Sequence, residues 1–520
     1  MTDARWPPEL ASEPHHDLLA RASDYALATG LVVRPFPSDP SDPSSIKTTE
    51  AIHAPYALWP SPFPRDLFSS ALDLQPLYNQ LYAKVTADDA FLDEVVGKAV
   101  SKVDEFQGRL YEIWKTVKKE GLAQPLSLGL FRSDYLLHSP PSNPADLSLK
   151  QVEFNAISSS FGCLSTRVTD LHRYLLASGA YSVNDARLKR DSLPVNGALE
   201  GLANGLAAAH KAYGKEDAVV LMVTQDNERN AFDQRPLEYH LVEKHGIRLL
   251  RIPFSALSTR LTLSTSSSSA SSSSTLLLST PSSSTPLEVS VVYYRSGYAP
   301  TDYTPDSSRD WDTRLLIERS RAIKCPSVAM QLAGSKKVQQ VLASPSVLER
   351  FVPSAAEREK LQSSFTDLYP LDDTPAGLEA VELAKTHPER FVLKPQREGG
   401  GNNIYRGDIP PFLAKLEEED AKKPAGEPKG REGYILMSLI EPPQGREQVL
   451  VKAGADEGVR TEVVSELGIY GVVLVNEEAE KGAEVVLSET VGHLLRTKGT
   501  TSDEGGIAVG HSVLDSPLLV

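Results

Sequence analysis

The chain has 520 residues, with 54 Lys+Arg against 69 Asp+Glu and a formal net charge of −15. At 40% hydrophobic and 24% charged residues it reads as a globular protein of roughly two to four domains. The acidic balance, without a sustained Lys/Arg block, argues against a nucleic-acid or anionic-membrane partner, and two cysteines, Cys163 and Cys325, exclude a disulfide framework or a Cys-rich zinc site.

The first residues carry no basic start followed by an apolar stretch, and no apolar run of about 18 residues occurs, so a reduced, cytoplasmic setting is expected. A Pro/Ser/Asp-rich loop at 35–45 precedes a helical pattern at 67–87. Short strands are expected at 126–130 and 151–155, then an Ala/Leu-rich helix at 196–213. Ala218-Val219-Val220-Leu221-Met222-Val223 is almost wholly apolar, as in a strand of a parallel sheet covered on both faces, so an α/β unit begins near 215. The Ser/Thr-dominated stretch 262–286 reads as a disordered loop between strands, and 417–432, rich in Glu, Lys, Pro and Gly, as a second surface excursion before a strand at 434–437.

Chemistry concentrates in a few places. After a strand delivers Lys394, Gln396-Arg397-Glu398-Gly399-Gly400-Gly401-Asn402-Asn403 forms a loop whose backbone N–H groups can converge on phosphate oxygens; a plain surface turn is the alternative. No Gly-Lys-Ser/Thr closes it, so it is not a Walker loop, and Ala333-Gly334-Ser335-Lys336-Lys337 fails that template because Ala329 stands where a glycine is required. Lys336 reads either as a phosphate contact or as a solvated helical lysine. In Glu153-Phe154-Asn155, strand alternation puts a carboxylate and an amide oxygen on one face, a hard-oxygen pair suited to Mg2+, although a half-exposed strand shows the same pattern. Arg132, Arg295 and Arg496 each follow an apolar strand segment, a position that suits either ligand contacts or surface charge. These residues point to an ATP-dependent enzyme of two or more α/β domains. The Cys163 surroundings contain no nearby His and read as structural.

In order along the chain, Glu153-Phe154-Asn155 with Ser158-Ser159-Ser160-Phe161-Gly162, Glu228-Arg229-Asn230 with Phe232-Asp233-Gln234-Arg235, and 291–298 resemble the eukaryotic glutathione synthetases. So do 318–326, 331–340, the loop from Lys394 to Tyr405, Ser465-Glu466-Leu467-Gly468, and Gly492-His493-Leu494-Leu495-Arg496-Thr497-Lys498. The likeness covers nearly the whole chain apart from 262–286, 417–432 and the N-terminal end. It implies an α/β ATP-grasp fold of the permuted eukaryotic type: an ATP-grasp body at 1–214 and 335–520, an inserted substrate-binding α/β domain at 215–334, and lid loops. It also implies ATP-dependent ligation of γ-glutamylcysteine with glycine through an acyl phosphate, Mg2+ as cofactor, and a homodimer.

By the same resemblance, Glu153, Asn155 and Glu398 are the metal ligands. Glu153, Lys336, Lys394, Gln396, Arg397, Glu398, Gly399, Gly400, Gly401, Asn402, Asn403 and Tyr405 meet ATP, with Met437, Ser438, Leu439 and Ile440 beside the adenine and Glu466, Lys498 and Glu504 also on the nucleotide. Ser158, Ser159, Ser160, Glu228, Arg229, Asn230, Gln234, Arg295, Ser296, Gly297 and Tyr298 meet the dipeptide. Arg132 and Arg496 are the catalytic pair that also binds substrate, and Ile507 and Ala508 belong to a lid over the glycine end. The chain departs from the family pattern at Ser438-Leu439, where Glu-Lys is common, which leaves adenine recognition to backbone atoms, and at 499–504, which runs slightly long. Two rivals are a homoglutathione synthetase that takes β-alanine, disfavoured by Ala508, and a catalytically dead relative.

Overall fold

The protein is described by a computed structural model covering residues 5–520 except 40–41, 265–273, 306, 425, 480–481, 502–505 and 508–509. Among the described residues, thirteen strands form one mixed sheet. Its spine is the strand Gly458–Asn476, antiparallel to Glu484–Gly499 on one side and to Leu126–His138 on the other. The latter pairs antiparallel with Ser148–Asn155 and parallel with Ile323–Cys325, which continues through Leu287–Tyr294 and Val219–Thr224 to Leu249–Pro253, all parallel.

Continuous apolar sequence and a parallel, doubly covered strand coincide as expected: all six residues of Val219–Thr224 are buried. The helix Ala198–Tyr213 packs on this region and stops at Gly214, whose φ of 80° supplies a left-handed C-cap. The expected helix at 67–87 is Arg65–Thr86. Both cysteines are buried and unpaired. No helix among the described residues is long and apolar enough to cross a membrane.

The structure corrects two expectations. The stretch 262–286 is not wholly loop: Leu261–Ser264 and Thr275–Leu278 pair antiparallel and extend the large sheet through Leu287–Tyr294. Ser and Thr counts mask a two-residue alternation there, and Leu276 and Leu278 are fully buried. The central residues 265–273 of the expected loop lie outside the described residues. Second, Arg132 and Arg496 do not follow strands but stand inside Leu126–His138 and Glu484–Gly499, because Ser133, Asp134 and Thr497 are buried in pairing rather than in turns. In the second expected excursion, Asp420 ends the helix Ile409–Asp420 and accepts the Gly430 backbone N–H at 2.9 Å, folding the segment back before the strand Tyr434–Ser438.

A separate four-stranded antiparallel sheet joins Leu368–Tyr369, Tyr434–Ser438, Phe391–Pro395 and Ile404–Tyr405. Helices Pro375–Thr386 and Ile409–Asp420 cover it over a core that includes Ala384, Phe391, Leu393, Leu413 and Leu436. Residues of this sheet and of the large one together line a single cavity.

Candidate active site

The cavity has a volume of about 520 Å³. Glu153 and Asn155 reach it from the strand Ser148–Asn155, two residues apart and on one face, as alternation requires. Lys394 enters from Phe391–Pro395, and Glu398 from the loop that follows. Lys336, in the first turn of Lys336–Leu342, is only 3% exposed. Its ammonium lies 3.1 Å from a Glu153 oxygen and 3.0 Å from a Glu398 oxygen. This is not a solvated helical lysine.

Charge states follow from that clamp. Burial works to raise the Glu153 carboxyl, but Lys336, Lys394 and Arg496 overcome it and hold the group well below the usual carboxylate range. Burial pushes Lys336 down, and Glu153 with Glu398 more than reverses this. For Lys394 burial prevails, aided by Lys336, and its pKa is lowered; Glu398 is raised, by burial first and with Glu153 adding to it. Lys394 donates to the Val152 carbonyl at 2.7 Å, and the Gln396 amide oxygen accepts from the Lys337 backbone at 3.0 Å, tying the glycine loop to the helix that carries Lys336.

Gly399, Gly400 and Gly401 have φ of 95°, 73° and 75°, so three successive residues occupy the left-handed region, which explains the triplet. A Cβ on Gly399 would lie 3.2 Å from the Tyr298 ring. Gly399, Gly400, Asn403 and Tyr405 line the cavity. Arg397 instead pairs with Asp104, and Asn402 donates to the Gly400 carbonyl at 2.8 Å. Met437, Ser438, Leu439 and Ile440 also line the cavity. The N–H groups of Ser438 and Leu439 donate to the Asp367 and Arg390 carbonyls, so those two donors are engaged within the protein.

Arg132 forks onto Asp134 at 2.6 and 2.8 Å. Arg496 reaches the same carboxylate at 3.1 Å and also pairs with Glu466. Arg132 further donates to the Ser160 carbonyl at 3.1 Å, and the Tyr470 hydroxyl to that same oxygen at 2.6 Å. The loop 158–161 is held in a costly conformation, with φ of 53° at Ser158 and 72° at Phe161, at the position where it walls the cavity. Asp233 fixes it by accepting the N–H groups of Phe161 and Cys163 at 2.8 and 3.0 Å. The same carboxylate pairs with Arg295 at 3.0 Å, and Arg295 donates to the Ser160 hydroxyl at 3.0 Å.

Of the expected dipeptide contacts, Ser158, Ser159, Ser160 and Tyr298 line the cavity. Glu228, Arg229, Asn230, Gln234, Arg295, Ser296 and Gly297 do not. Glu228 accepts from the Gln234 amide at 2.6 Å and from the Asn230 backbone at 2.8 Å, whereas Arg229 stacks on Phe36, its guanidinium carbon 3.5 Å from the ring centroid. Lys498 and Ile507 line the cavity; Glu504 and Ala508 lie outside the described residues.

Sequence reasoning missed Asp134, Asp233, Tyr470, Gln444 and Thr500. Only Asp134 carried a signal: Arg132-Ser133-Asp134 puts two opposite charges on one face of a strand. The residues present fit a hard divalent cation. Two carboxylates converge on one ammonium, and Asn155, with its NH2 donating to Asp134 at 2.9 Å and to the Arg132 carbonyl at 3.2 Å, keeps its oxygen as an acceptor in the cavity wall. No group of three His, Cys, Asp or Glu that could hold a metal occurs among the described residues.

The family model described as "Eukaryotic glutathione synthase, ATP binding domain" matches residues 12–519. The chain is 38% identical to the glutathione synthetases of Mus musculus and Homo sapiens, over 96% of this chain and 96% of each relative. It is 39% identical to the glutathione synthetase large chain of Schizosaccharomyces pombe, over 95% of this chain and 96% of that one. Among solved structures, a glutathione synthetase-like effector from Globodera pallida in its apo form shares the fold, at a TM-score of 0.73 and 22% identity over 100% of both chains. The clamp on Lys336, the glycine loop and the arginine pair thus sit in a chain that belongs to the eukaryotic glutathione synthase family.

Proposed function

We propose that this protein is an ATP-dependent ligase that joins γ-glutamylcysteine to glycine, forming glutathione with release of ADP and phosphate. The observation that carries the reading is the convergence of Lys394, Glu153, Glu398, Asn155, Arg132 and Arg496 on one cavity beside a triple-glycine loop, with Lys336 paired to both Glu153 and Glu398. The family resemblance extends it to an ATP-grasp architecture, with 1–214 and 335–520 as the body and 215–334 as the substrate domain, and to a cytoplasmic homodimer.

In this reading Lys336 and Lys394 bind the nucleotide phosphates, the Gly399-Gly400-Gly401 backbone covers them, and Met437 to Ile440 border the adenine, with Glu466 and Lys498 at the nucleotide. Glu153, Asn155 and Glu398 would hold Mg2+, which when bound screens the γ-phosphoryl oxygens against an approaching anion. The cysteinyl carboxylate of the dipeptide attacks the γ-phosphorus; the bond to the β-phosphate oxygen breaks, and ADP leaves. Arg132 and Arg496 orient the substrate carboxylates and stabilise the oxygen charge in transit. Glycine's neutral amine then attacks the acyl carbon, the tetrahedral adduct breaks its bond to phosphate, and one nitrogen proton passes to the departing phosphate. An acyl phosphate exposed to water would hydrolyse, so the loop 396–405 and the segment 498–510 serve as covers.

The test is to incubate purified protein with ATP, Mg2+, γ-glutamylcysteine and glycine and to measure tripeptide and ADP. Equimolar formation is expected; ADP release without tripeptide, or no turnover, refutes the reading. Replacing glycine by β-alanine in the same assay is expected to lower kcat/KM.

A further inference from the structure

Asp134 is fully buried in the middle of Leu126–His138, yet every protein group it holds belongs to the site. One oxygen accepts from Arg132 Nε; the other accepts from Arg132 Nη2, Arg496 Nη2 and Asn155 Nδ2. These three residues come from three strands. Arg132 and Asp134 share one strand, Asn155 lies opposite Arg132 in the next, and Arg496 stands beyond the intervening spine strand. The bridge crosses that spine at Gly468, directly opposite Asp134, where a Cβ would come within 2.8 Å of both the Asp134 carboxylate and the Arg132 side chain. A glycine is therefore required for the carboxylate to reach across.

We propose that Asp134 is the positioning residue of the site: its carboxylate sets the spacing of the Arg132 and Arg496 guanidiniums and orients the Asn155 amide so that the amide oxygen is the atom left for the cavity. The proposal rests on the function argued above and deepens it. An ionised carboxylate is the group that fits, because it only accepts, and all four of its partners only donate at these atoms. An amide at 134 has one acceptor where the carboxylate has two: with its oxygen toward Arg132 Nη2, Arg496 and Asn155, its NH2 meets the Arg132 Nε–H, and turned the other way it meets all three of those donors. In either orientation the Arg132 fork breaks, and a neutral acceptor holds Arg496 and Asn155 more weakly than a carboxylate, so the Asn155 amide is released to turn its NH2 to where a cation is to be held.

The test uses full-length Asp134→Asn and calorimetric ATP binding at varied Mg2+ without dipeptide, alongside steady-state KM for the dipeptide. The expected result is a shift of half-maximal Mg2+ to about 10- to 100-fold higher concentration, with a raised dipeptide KM. Adding Asn155→Asp, which offers the new amide an acceptor and leaves a second oxygen for the cavity, is expected to restore the Mg2+ response. Gly468→Ala keeps every charge but presses on the carboxylate; it is expected to shift the Mg2+ response in the same direction, and it serves if Asp134→Asn does not fold. Folded variants with wild-type Mg2+ dependence overturn the positioning role and leave the ligase intact. A wild-type protein whose ATP binding ignores Mg2+ overturns the role and the functional reading together.

Discussion

Glu398→Gln separates a binding role from a folding role because the structure sets the two costs apart. The Glu398 side chain is 21% exposed, and among the described residues its charge is paired through Lys336, which keeps Glu153 at 3.1 Å when Glu398 becomes neutral. Burial already raises the Glu398 carboxyl, so an amide of the same shape suits the position. The loss of a partly screened ion pair whose ammonium retains a second partner costs about 1 kcal/mol, which in a chain this long shifts Tm by no more than about 2 °C. If Glu398 is a ligand acting on the γ-phosphoryl group, its loss removes about 3–4 kcal/mol of stabilisation in flight, or about 10²–10³ in kcat. Coupled ADP release with chromatographic detection of tripeptide measures the second effect, and thermal unfolding the first. Lys336→Met is the contrast, since it leaves two half-buried carboxylates facing one another without the ammonium between them and is expected to cost more stability than Glu398→Gln as well as activity. A Glu398→Gln enzyme that keeps more than about a tenth of wild-type kcat at saturating Mg2+ refutes the assignment, because the missing donor then contributes less than the smallest effect argued for it.

Gly399→Ala must hold an L-residue at φ 95° with its Cβ 3.2 Å from Tyr298, so the loop conformation is expected to lose about 1–2 kcal/mol and KM for ATP to rise about 5- to 30-fold, measured by initial rates. Glu477, buried and raised from 4.5 to about 7 against the opposing bonds from Ser327 and Ser127, binds its proton in the folded state to higher pH than in the unfolded chain. Its contribution is therefore complete below pH 4.5 and lost as pH rises to about 7, up to about 3 kcal/mol, and Glu477→Gln is expected to flatten that part of the Tm profile. Replacing 265–273 with a short linker is expected to leave kcat unchanged, whereas deleting 264–285 also removes the strand Thr275–Leu278 and is expected to lower Tm. A kcat loss in the first variant without a change in Tm would give 265–273 a part in the reaction.

The parts of the site legible in sequence are those whose meaning is local. Three consecutive glycines announce a left-handed backbone, and Glu153 with Asn155 announces one face of a strand, since both depend on φ or on a period of two. The distant partners of Asp134 and Asp233 are illegible for the opposite reason. A carboxylate inside a strand or helix looks like surface polarity until its partners are known, and Arg496 lies 362 positions from Asp134, as the Phe161 N–H lies 72 from Asp233. Strand length failed in the same way. The apolar signal of Leu126–His138 fades at Arg132-Ser133-Asp134, and only pairing with Gly458–Asn476 on one side and Ser148–Asn155 on the other carries the backbone through.

The net charge of −15 and the proposed binding of anions in the cavity are compatible because the site is already near neutrality on its own. Lys336 stands between Glu153 and Glu398, Arg496 between Asp134 and Glu466, and Arg132 and Arg295 each on an aspartate. An anionic substrate therefore does not enter an open positive field; it exchanges for, or joins, carboxylates already in place. Lys336 shows what this demands. Its ammonium can turn to phosphate oxygens only when another cation takes over Glu153 and Glu398, since leaving both bare would strand two like charges at close range. On the proposed assignment, nucleotide and divalent cation thus bind as one coupled event, and linkage makes the coupling reciprocal: whatever factor the cation adds to ATP affinity, ATP adds to the affinity for the cation.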